Sequence, residues 1–241
     1  MAVFDLALLS VAVLAGGIAS VAGFGIGSLL TPLLAFKVGT GLAVAGVSIA
    51  HFLGTAFRFW KWKEYVNRRV LLSFGITSAV GGLIGAVFHN VFQNVILTVI
   101  FGCLLVFAGI SGLTGLSQKW RFHGGIAWVA GALSGLFGGL VGNQGGIRSA
   151  AMFGFDLKGK EFIATATGIA LVVDMARMPV YFVIQWKDIL CIWPFILVTT
   201  IGVLIGTEAG IWLLSRIPES LFKRIVSGII LLIGIFVLIR R

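Results

Sequence analysis

Three alternating glycines interrupt the stretch VAGFGIGSLLTP at residues 21–32, which is otherwise apolar enough to lie inside a membrane. Each glycine in a helix interior costs roughly 1 kcal/mol relative to alanine. Three such residues, at Gly23, Gly25 and Gly27, destabilise a continuous helix. They therefore predict a helix that breaks at its glycines. A short half-helix, beginning with SLLTPLLAF, is expected to follow the break.

The composition of the whole chain also indicates a membrane protein. Of its 241 residues, 59% are hydrophobic and 11% are charged, whereas a soluble domain carries about 25% charged residues. The mean hydropathy is +1.11. Since a spanning helix needs about 20 apolar residues, we predict an all-α integral membrane protein with about eight transmembrane helices. The apolar runs cover residues 6–36, 42–57, 70–88, 91–117, 124–155, 162–184, 189–215 and 225–239.

Charge and cysteine usage exclude several other classes of protein. The first apolar run is interpreted as a membrane helix and not as a cleaved signal, because Asp5 is the first charge and no basic segment precedes the run. Cys103 and Cys191 lie in separate runs and do not have a metal-ligand spacing. The net charge of +10 is concentrated in short connections between spans. We therefore expect no metal, no cofactor and no nucleic-acid partner.

The connections also predict an orientation. Simple alternation of eight spans places ten basic residues on the side of both termini, together with the connections at 58–69 and 118–123. Six basic residues fall on the other side. By the positive-inside rule, this distribution predicts a multi-pass protein of the cell (inner) membrane with both termini cytoplasmic.

The glycine-rich stretch has a counterpart in the second part of the chain. GFGIG at 23–27 corresponds to GNQGG at 142–146, which begins 119 residues later. The same offset relates Arg58 to Arg177. A near-constant offset predicts an internal duplication.

The duplication defines two homologous four-span transmembrane repeats within one membrane domain, at residues 1–118 and 119–241. Each repeat is expected to contain a Gly-broken helix followed by a short half-helix. GGLIG at 81–85 and GVLIG at 202–206 form a second matching pair. We interpret both of these GxxxG segments as close helix–helix contacts, because glycine lets membrane helices approach one another.

Glycine-interrupted segments at corresponding positions of two halves indicate the binding site of a secondary transporter. The N-terminus of a half-helix presents free N–H groups and a partial positive charge, and such ends bind anions. Arginine suits oxyanions because its planar guanidinium holds its charge. The predicted substrate-binding residues are Gly23, Phe24, Gly25, Gly27, Ser28, Gly142, Asn143, Gln144, Gly145, Gly146, Arg148 and Arg177.

Ionisable residues inside apolar runs are functional candidates. Asp174 is the first candidate for proton coupling, Glu208 the second, and His51 a minor one. Asp174 has an alternative role as the structural ion-pair partner of Arg177 on its own helix. Arg58 either extends to the interface or faces the membrane interior.

The chain resembles the sulfite exporter TauE/SafE family of membrane permeases along essentially its whole length. The resemblance is carried by AGFGIGSLLTPLLAF at 22–36, SGLFGGLVGNQGGIRSAAMFGF at 134–155 and ATATGIALVVDMARMPVYF at 164–182. It implies transport of a small anion, particularly sulfite or a sulfonate. Asn143 and Gln144 depart from the more glycine-rich family pattern. This departure bears on which substrate is transported and not on the fold.

Two other functions are compatible with parts of the sequence. An anion channel would also tolerate two glycine-lined breaks. GISG at 109–112 matches the short motif of rhomboid-like intramembrane serine proteases, but Ser111 would need a histidine to activate it. No sequence feature places one there, and small-residue packing explains GISG better. We therefore predict a transporter and not an enzyme, and the sequence leaves homo-oligomerisation open.

Overall fold

The computed structural model is all-helical throughout the residues that it describes, which are 2–92, 94–116, 125–143, 145–152, 155, 157, 159–213 and 219–239. A 3-10 turn, Lys63–Tyr65, follows the third helix. The predicted repeat boundary at 118/119 lies outside the described residues. The helices are α1 (Ala2–Ala22), α2 (Ile26–Val38), α3 (Thr40–Trp62), α4 (Arg68–His89), α5 (Asn94–Thr114), α6 (Gly125–Val141), α7 (Gly145–Met152), α8 (Gly159–Cys191), α9 (Trp193–Leu213) and α10 (Glu219–Ile239).

Six of the described helices are long and apolar enough to cross a membrane: α1, α3, α4, α5, α8 and α9. Their outward faces carry large apolar side chains such as Val183, Leu14 and Leu72, which are well exposed in the isolated chain. In a bilayer this surface contacts lipid, so its exposure carries no penalty. The chain is therefore a helical bundle built for a membrane.

Glycines let two pairs of helices pack with their backbones in contact. In the pair α1 and α9, a Cβ at Gly206 would overlap the carbonyl of Val13. In the pair α4 and α6, a Cβ at Gly85 would overlap the carbonyl of Leu136. The prediction that both GxxxG segments mediate close helix contacts is confirmed.

The remaining helices complete the bundle. Helices α5 and α10 run antiparallel, since Gly112 lies against Ser227 and Gly102 lies against Leu238. Helix α8 packs against both α3 and α4, and α2 packs along α3. Helices α3 and α8 therefore lie at the centre, and they carry most of the buried ionisable side chains.

Helix α2 folds back along α1, because Lys37 near its end lies over the ring of Phe4 at the start of α1. Phe4 also packs on Phe195 at the start of α9, whereas Lys61 pairs with Glu208 near the end of α9. The bundle thus has a Phe4 end and a Trp62 end, at opposite ends of α9.

This arrangement contradicts one expectation. Counting simple crossings placed the N-terminus and the 58–69 connection on the same side. The structure places them at opposite ends, because the α1–α2 hairpin adds a return pass inside the first apolar run. The end of α10 lies beside α5 near the Phe4 end, so the start of α1 and the end of α10 lie at the same end of the bundle.

Candidate functional site

Both predicted helix breaks are present. After α1, Gly23 and Gly25 have φ values of 76° and 135°, which L side chains rarely adopt. After α6, Gly142 has a φ of 72°. In each case a new helix begins within three residues. The breaks are narrower than the glycine motifs, because Gly27 lies in the first turn of α2, and Gly145 and Gly146 lie in the first turn of α7.

The two breaks contact one another directly. A Cβ at Gly27 would overlap the carbonyl oxygen of Gly142, and a Cβ at Gly145 would overlap the ring of Phe24. The hydroxyl of Ser28 donates to Oδ1 of Asn143 over 3.4 Å. Segments 115 residues apart in the chain therefore form one buried junction.

The beginning of α2 lies within this junction. Its first backbone hydrogen bond runs from Leu29 N–H to the carbonyl of Gly25, and Gly25 supplies no side-chain cap. The N–H groups of the first turn have no partners inside their own helix. A helix end of this kind carries a partial positive charge.

Arg148 brings a guanidinium from α7 into the junction. Its side chain is 1% exposed, and Nη2 donates to the carbonyl of Gly23 over 3.0 Å. Among the described residues, its Nε and Nη1 have no hydrogen-bond partner, and neither does Nδ2 of Asn143. A buried donor without a partner costs about 1–3 kcal/mol, and more when it is charged. The junction therefore holds donors that a bound acceptor would satisfy.

A second buried cluster connects α3 with α8. Nδ1 of His51 lies 2.6 Å from Oδ2 of Asp174. Nε and Nη2 of Arg177 lie 2.9 Å and 2.8 Å from the other carboxylate oxygen. The predicted ion pair between Asp174 and Arg177 is present. His51 shares that carboxylate, which places a titratable group within the cluster.

Arg177 also joins this cluster to the second break. Its Nη1 donates to the carbonyl of Gly138 over 2.5 Å, the hydroxyl of Tyr181 donates to the carbonyl of Gly139, and Nδ1 of His89 lies 2.6 Å from the carbonyl of Leu140. The last carbonyls of a helix lack intrahelical partners. Three side chains therefore bind carbonyls of the C-terminal turn of α6, where Gly138 also accepts from the N–H of Gly142.

The structure does not bring every predicted residue to the junction. Glu208 lies near the end of α9, where its 57% exposed side chain pairs with Lys61. Gln144 lies outside the described residues. A cavity of about 250 Å³ lies elsewhere, between α2 and α5, with Pro32, Thr98 and Phe101 in its lining. None of the predicted site residues lines this cavity.

The buried charges described in the structure do not balance. Arg58, Arg148 and Arg177 are each at most 2% exposed, and Asp174 is the buried carboxylate that faces them. Isolated buried charges are strongly unfavourable unless they are paired. The centre of the bundle therefore has an excess of positive charge, which suits an anion. No cluster of metal ligands occurs in the part of the chain that the structure describes.

The sequence reasoning missed two groups. Tyr181 and His89 were not assigned to the site, because the carbonyls that they bind come from a helix remote in sequence. The sequence allows Arg58 to lie either at the interface or in the membrane interior, and the structure buries its side chain. The signal for Arg58 was its seven-residue spacing from His51, which puts both residues on one face of α3.

Comparison with known proteins agrees with this architecture. A family model described as "Sulfite exporter TauE/SafE" matches residues 8–237. No curated protein and no solved structure matches the chain. The matched segment includes both helix breaks and nearly all of the 241 residues. The chain therefore belongs to the sulfite exporter TauE/SafE family of multi-pass membrane transporters.

Proposed function

We propose that this protein is a secondary transporter that moves a small sulfur-containing oxyanion, such as sulfite or a sulfonate, across the cell membrane. One observation carries the proposal: Arg148 is buried where the two glycine breaks meet, and its Nε and Nη1 have no partner among the described residues. Membership of the family supports the sulfur-anion class.

The proposed binding site lies between the beginnings of α2 and α7. Sulfite and sulfonates present several oxygen acceptors, and the planar fork of arginine binds such groups with two parallel hydrogen bonds. Arg148 would provide the fork, Asn143 an amide donor, and the glycine positions a close approach to backbone N–H groups. Ser28 and Gln144 belong to the proposed site as further polar groups. Arg177 contributes positive charge from a distance, because its hydrogen bonds already go to Asp174 and Gly138.

Ligand-induced stabilisation of the purified protein tests the proposal. A ligand that binds the native state raises the free energy of unfolding by about 2.7 kcal/mol at a hundredfold excess over its Kd. We expect sulfite or a sulfonate to raise the Tm of the native protein and of Arg224→Gln, a control at an exposed arginine. Arg148→Gln should stay folded and lose this increase.

The matched screen uses thiosulfate and small carboxylates beside sulfite and the sulfonates. Stabilisation by carboxylates alone would replace the sulfur-anion assignment. An unchanged response of Arg148→Gln would remove that residue from the site.

The same proposal includes a duplicated fold whose halves at 1–118 and 119–241 are inverted. Helix α1 packs on α9 much as α6 packs on α4. The first helix of each half therefore lies beside the fourth helix of the other half. Helix α1 begins at the Phe4 end. Helix α6 runs parallel to α4 and therefore begins near the Trp62 end. These opposite directions support an inverted repeat, which is common among secondary transporters.

An eight-span count is part of this proposal. The six long apolar helices, together with α6 and α10, make eight crossings, and the short helices α2 and α7 are re-entrant. The Trp62 end carries six basic side chains that the structure describes, and the Phe4 end carries Lys37 and Lys187. The positive-inside rule then favours a cytoplasmic Trp62 end. Because the described chain ends lie at the Phe4 end, this proposal replaces the cytoplasmic termini that simple alternation of spans predicts. The six basic residues at the Trp62 end are Lys61, Lys63, Arg68, Arg69, Lys160 and Arg224.

Proton coupling through Asp174 and His51 completes the proposal. The pair is buried between α3 and α8, next to the arginine that caps the second break. A change in the charge of Asp174 would alter its attraction for Arg177, and hence the contact between Arg177 and α6. This arrangement supports a link between proton binding and the shape of the anion site. Glu208, which is half exposed and pairs with Lys61, is not part of this proposed link.

A further inference from the structure

Arg58 is a buried cation that the proposed central site does not use. Its side chain is 2% exposed. Its Nε donates to Oγ1 of Thr167 over 3.0 Å, while its Nη1 has no partner among the described residues. A purely structural arginine is stabilised by a carboxylate or by carbonyls that accept from all of its donors. Arg58 therefore has a donor available for a ligand.

The position of Arg58 along α3 places it between the centre and the Trp62 end. His51, in the central cluster, lies seven residues earlier on the same face, which is about 10 Å along the helix axis. Trp62, four residues later, ends the helix. The charges of Arg58 and Arg148 are close enough to repel each other. An anion next to Arg58 would thus be within electrostatic reach of Arg148.

Exposed basic side chains surround the Trp62 end. Lys63 lies over the ring of Trp60, and Lys160 lies near the rings of Trp62 and Tyr65. Basic side chains outnumber the acidic ones at this end, six to three among the described side chains, the acids being Glu64, Glu161 and Glu208. The resulting net positive charge attracts anions to this end of the bundle. Basic side chains therefore lie at three successive positions: the exposed Trp62 end, Arg58, and Arg148 in the junction.

We propose that Arg58 and Thr167 form an anion-binding access site on the route between the Trp62 end and the central junction. This inference rests on the proposed function and adds a second position for the anion. The anion would bind to Nη1 of Arg58 and then pass to Arg148. Both residues that form the access site lie on the central helices, Arg58 on α3 and Thr167 on α8, so relative movement of these helices would open or close it.

Thiol modification at position 167 tests the access site without any sulfite. Cys103 and Cys191 are first replaced by alanine, and Thr167→Cys is introduced with Arg58 intact. Two membrane-impermeant reagents are compared: 2-sulfonatoethyl methanethiosulfonate, which is anionic, and its trimethylammonium analogue, which is cationic. Lys63→Cys, exposed at the Trp62 end, identifies the membrane side from which this end is reached.

We expect the anionic reagent to modify Thr167→Cys from the same side as Lys63→Cys. Relative to the cationic reagent, its rate should fall about tenfold when Arg58→Gln is added and change less than twofold when Arg224→Gln is added instead. Because Thr167 is fully buried in this conformation, its modification requires the route to open. Lack of modification from that side, or a rate ratio indifferent to Arg58→Gln, would overturn the access site.

Ligand binding separates this inference from the proposed function. Arg58→Gln should keep most of the Tm increase caused by sulfite, because the part that comes from the central junction depends on Arg148. Loss of the increase in Arg58→Gln would place Arg58 in the central site and contradict a separate access site. If sulfite fails to stabilise even the native protein, the substrate assignment fails, and the modification rates still decide the role of Arg58.

Discussion

The three buried arginines that the structure describes differ in their neighbours. Among the described residues, Arg177 has a carboxylate and a helix carbonyl as partners, Arg148 has a backbone carbonyl, and Arg58 has a hydroxyl. Sequence alone predicted that Arg148 and Arg177 matter, since charges inside apolar runs are costly. The sequence could not show which guanidinium donors lack partners, because the carbonyls of Gly23 and Gly138 come from segments remote in sequence. They contact Arg148 and Arg177 only in the folded bundle.

The buried carboxylate leads to a prediction about driving force. If Asp174 carries the coupled proton, a gradient of one pH unit should support about tenfold accumulation of sulfite in proteoliposomes, since one unit corresponds to about 1.4 kcal/mol per proton. Asp174→Asn cannot exchange a proton, and it should reach the same final level with and without the gradient. Uptake of isotopically labelled sulfite measures the final level with and without the pH gradient.

The control for this experiment is Glu208→Gln, because the side chain of Glu208 is 57% exposed and pairs with Lys61. It should accumulate sulfite like the native protein. Should Glu208→Gln lose the response while Asp174→Asn keeps it, the assignment of the two acids is reversed. A normal sulfite-induced Tm increase in Asp174→Asn shows that the variant is folded.

The helix breaks were predictable from local chemistry, and their consequences were not. Alternating glycines predicted that α1 and α6 would end, and positive φ values at Gly23 and Gly142 agree with this prediction. Whether α2 continues or folds back depends on contacts such as Lys37 with Phe4, which no local pattern encodes. Pro32 is the seventh residue of α2, where its missing N–H leaves the carbonyl of Ser28 without its usual helical partner.

Close packing of α1 on α9 predicts a large effect from one methyl group. Gly206→Ala would place a Cβ against the carbonyl of Val13, and overpacking of this kind costs about 1–3 kcal/mol. Gly228→Ala in α10 meets nothing within 4 Å, so it should be neutral or should stabilise the helix by up to about 1 kcal/mol. Thermal denaturation in detergent compares the two variants. Equal Tm values would show that the helices do not pack as described.

At the scale of the molecule, hydropathy identified the class and most of the helices, but counting hydrophobic runs did not give the topology. The run at 6–36 contains two helices that run in opposite directions, α1 and α2. A count of runs treats them as one crossing, which puts the later connections on the wrong sides. The contacts of Phe4 with Phe195 and of Lys61 with Glu208 correct the assignment.

The corrected topology makes a prediction for the protein in cells. Lys63 lies at the Trp62 end and Lys37 at the Phe4 end, so single cysteines at these positions should be accessible from opposite sides of the membrane. Because basic residues concentrate at the Trp62 end, an impermeant maleimide added to intact cells should label Lys37→Cys, and Lys63→Cys should react only after permeabilisation. The cysteine-free background, with Cys103 and Cys191 replaced, is the control for unspecific labelling. Labelling of both variants in intact cells would show that Lys37 and Lys63 do not lie on opposite sides of the membrane. The reverse pattern would agree with the fold and reverse the orientation of the molecule in the membrane.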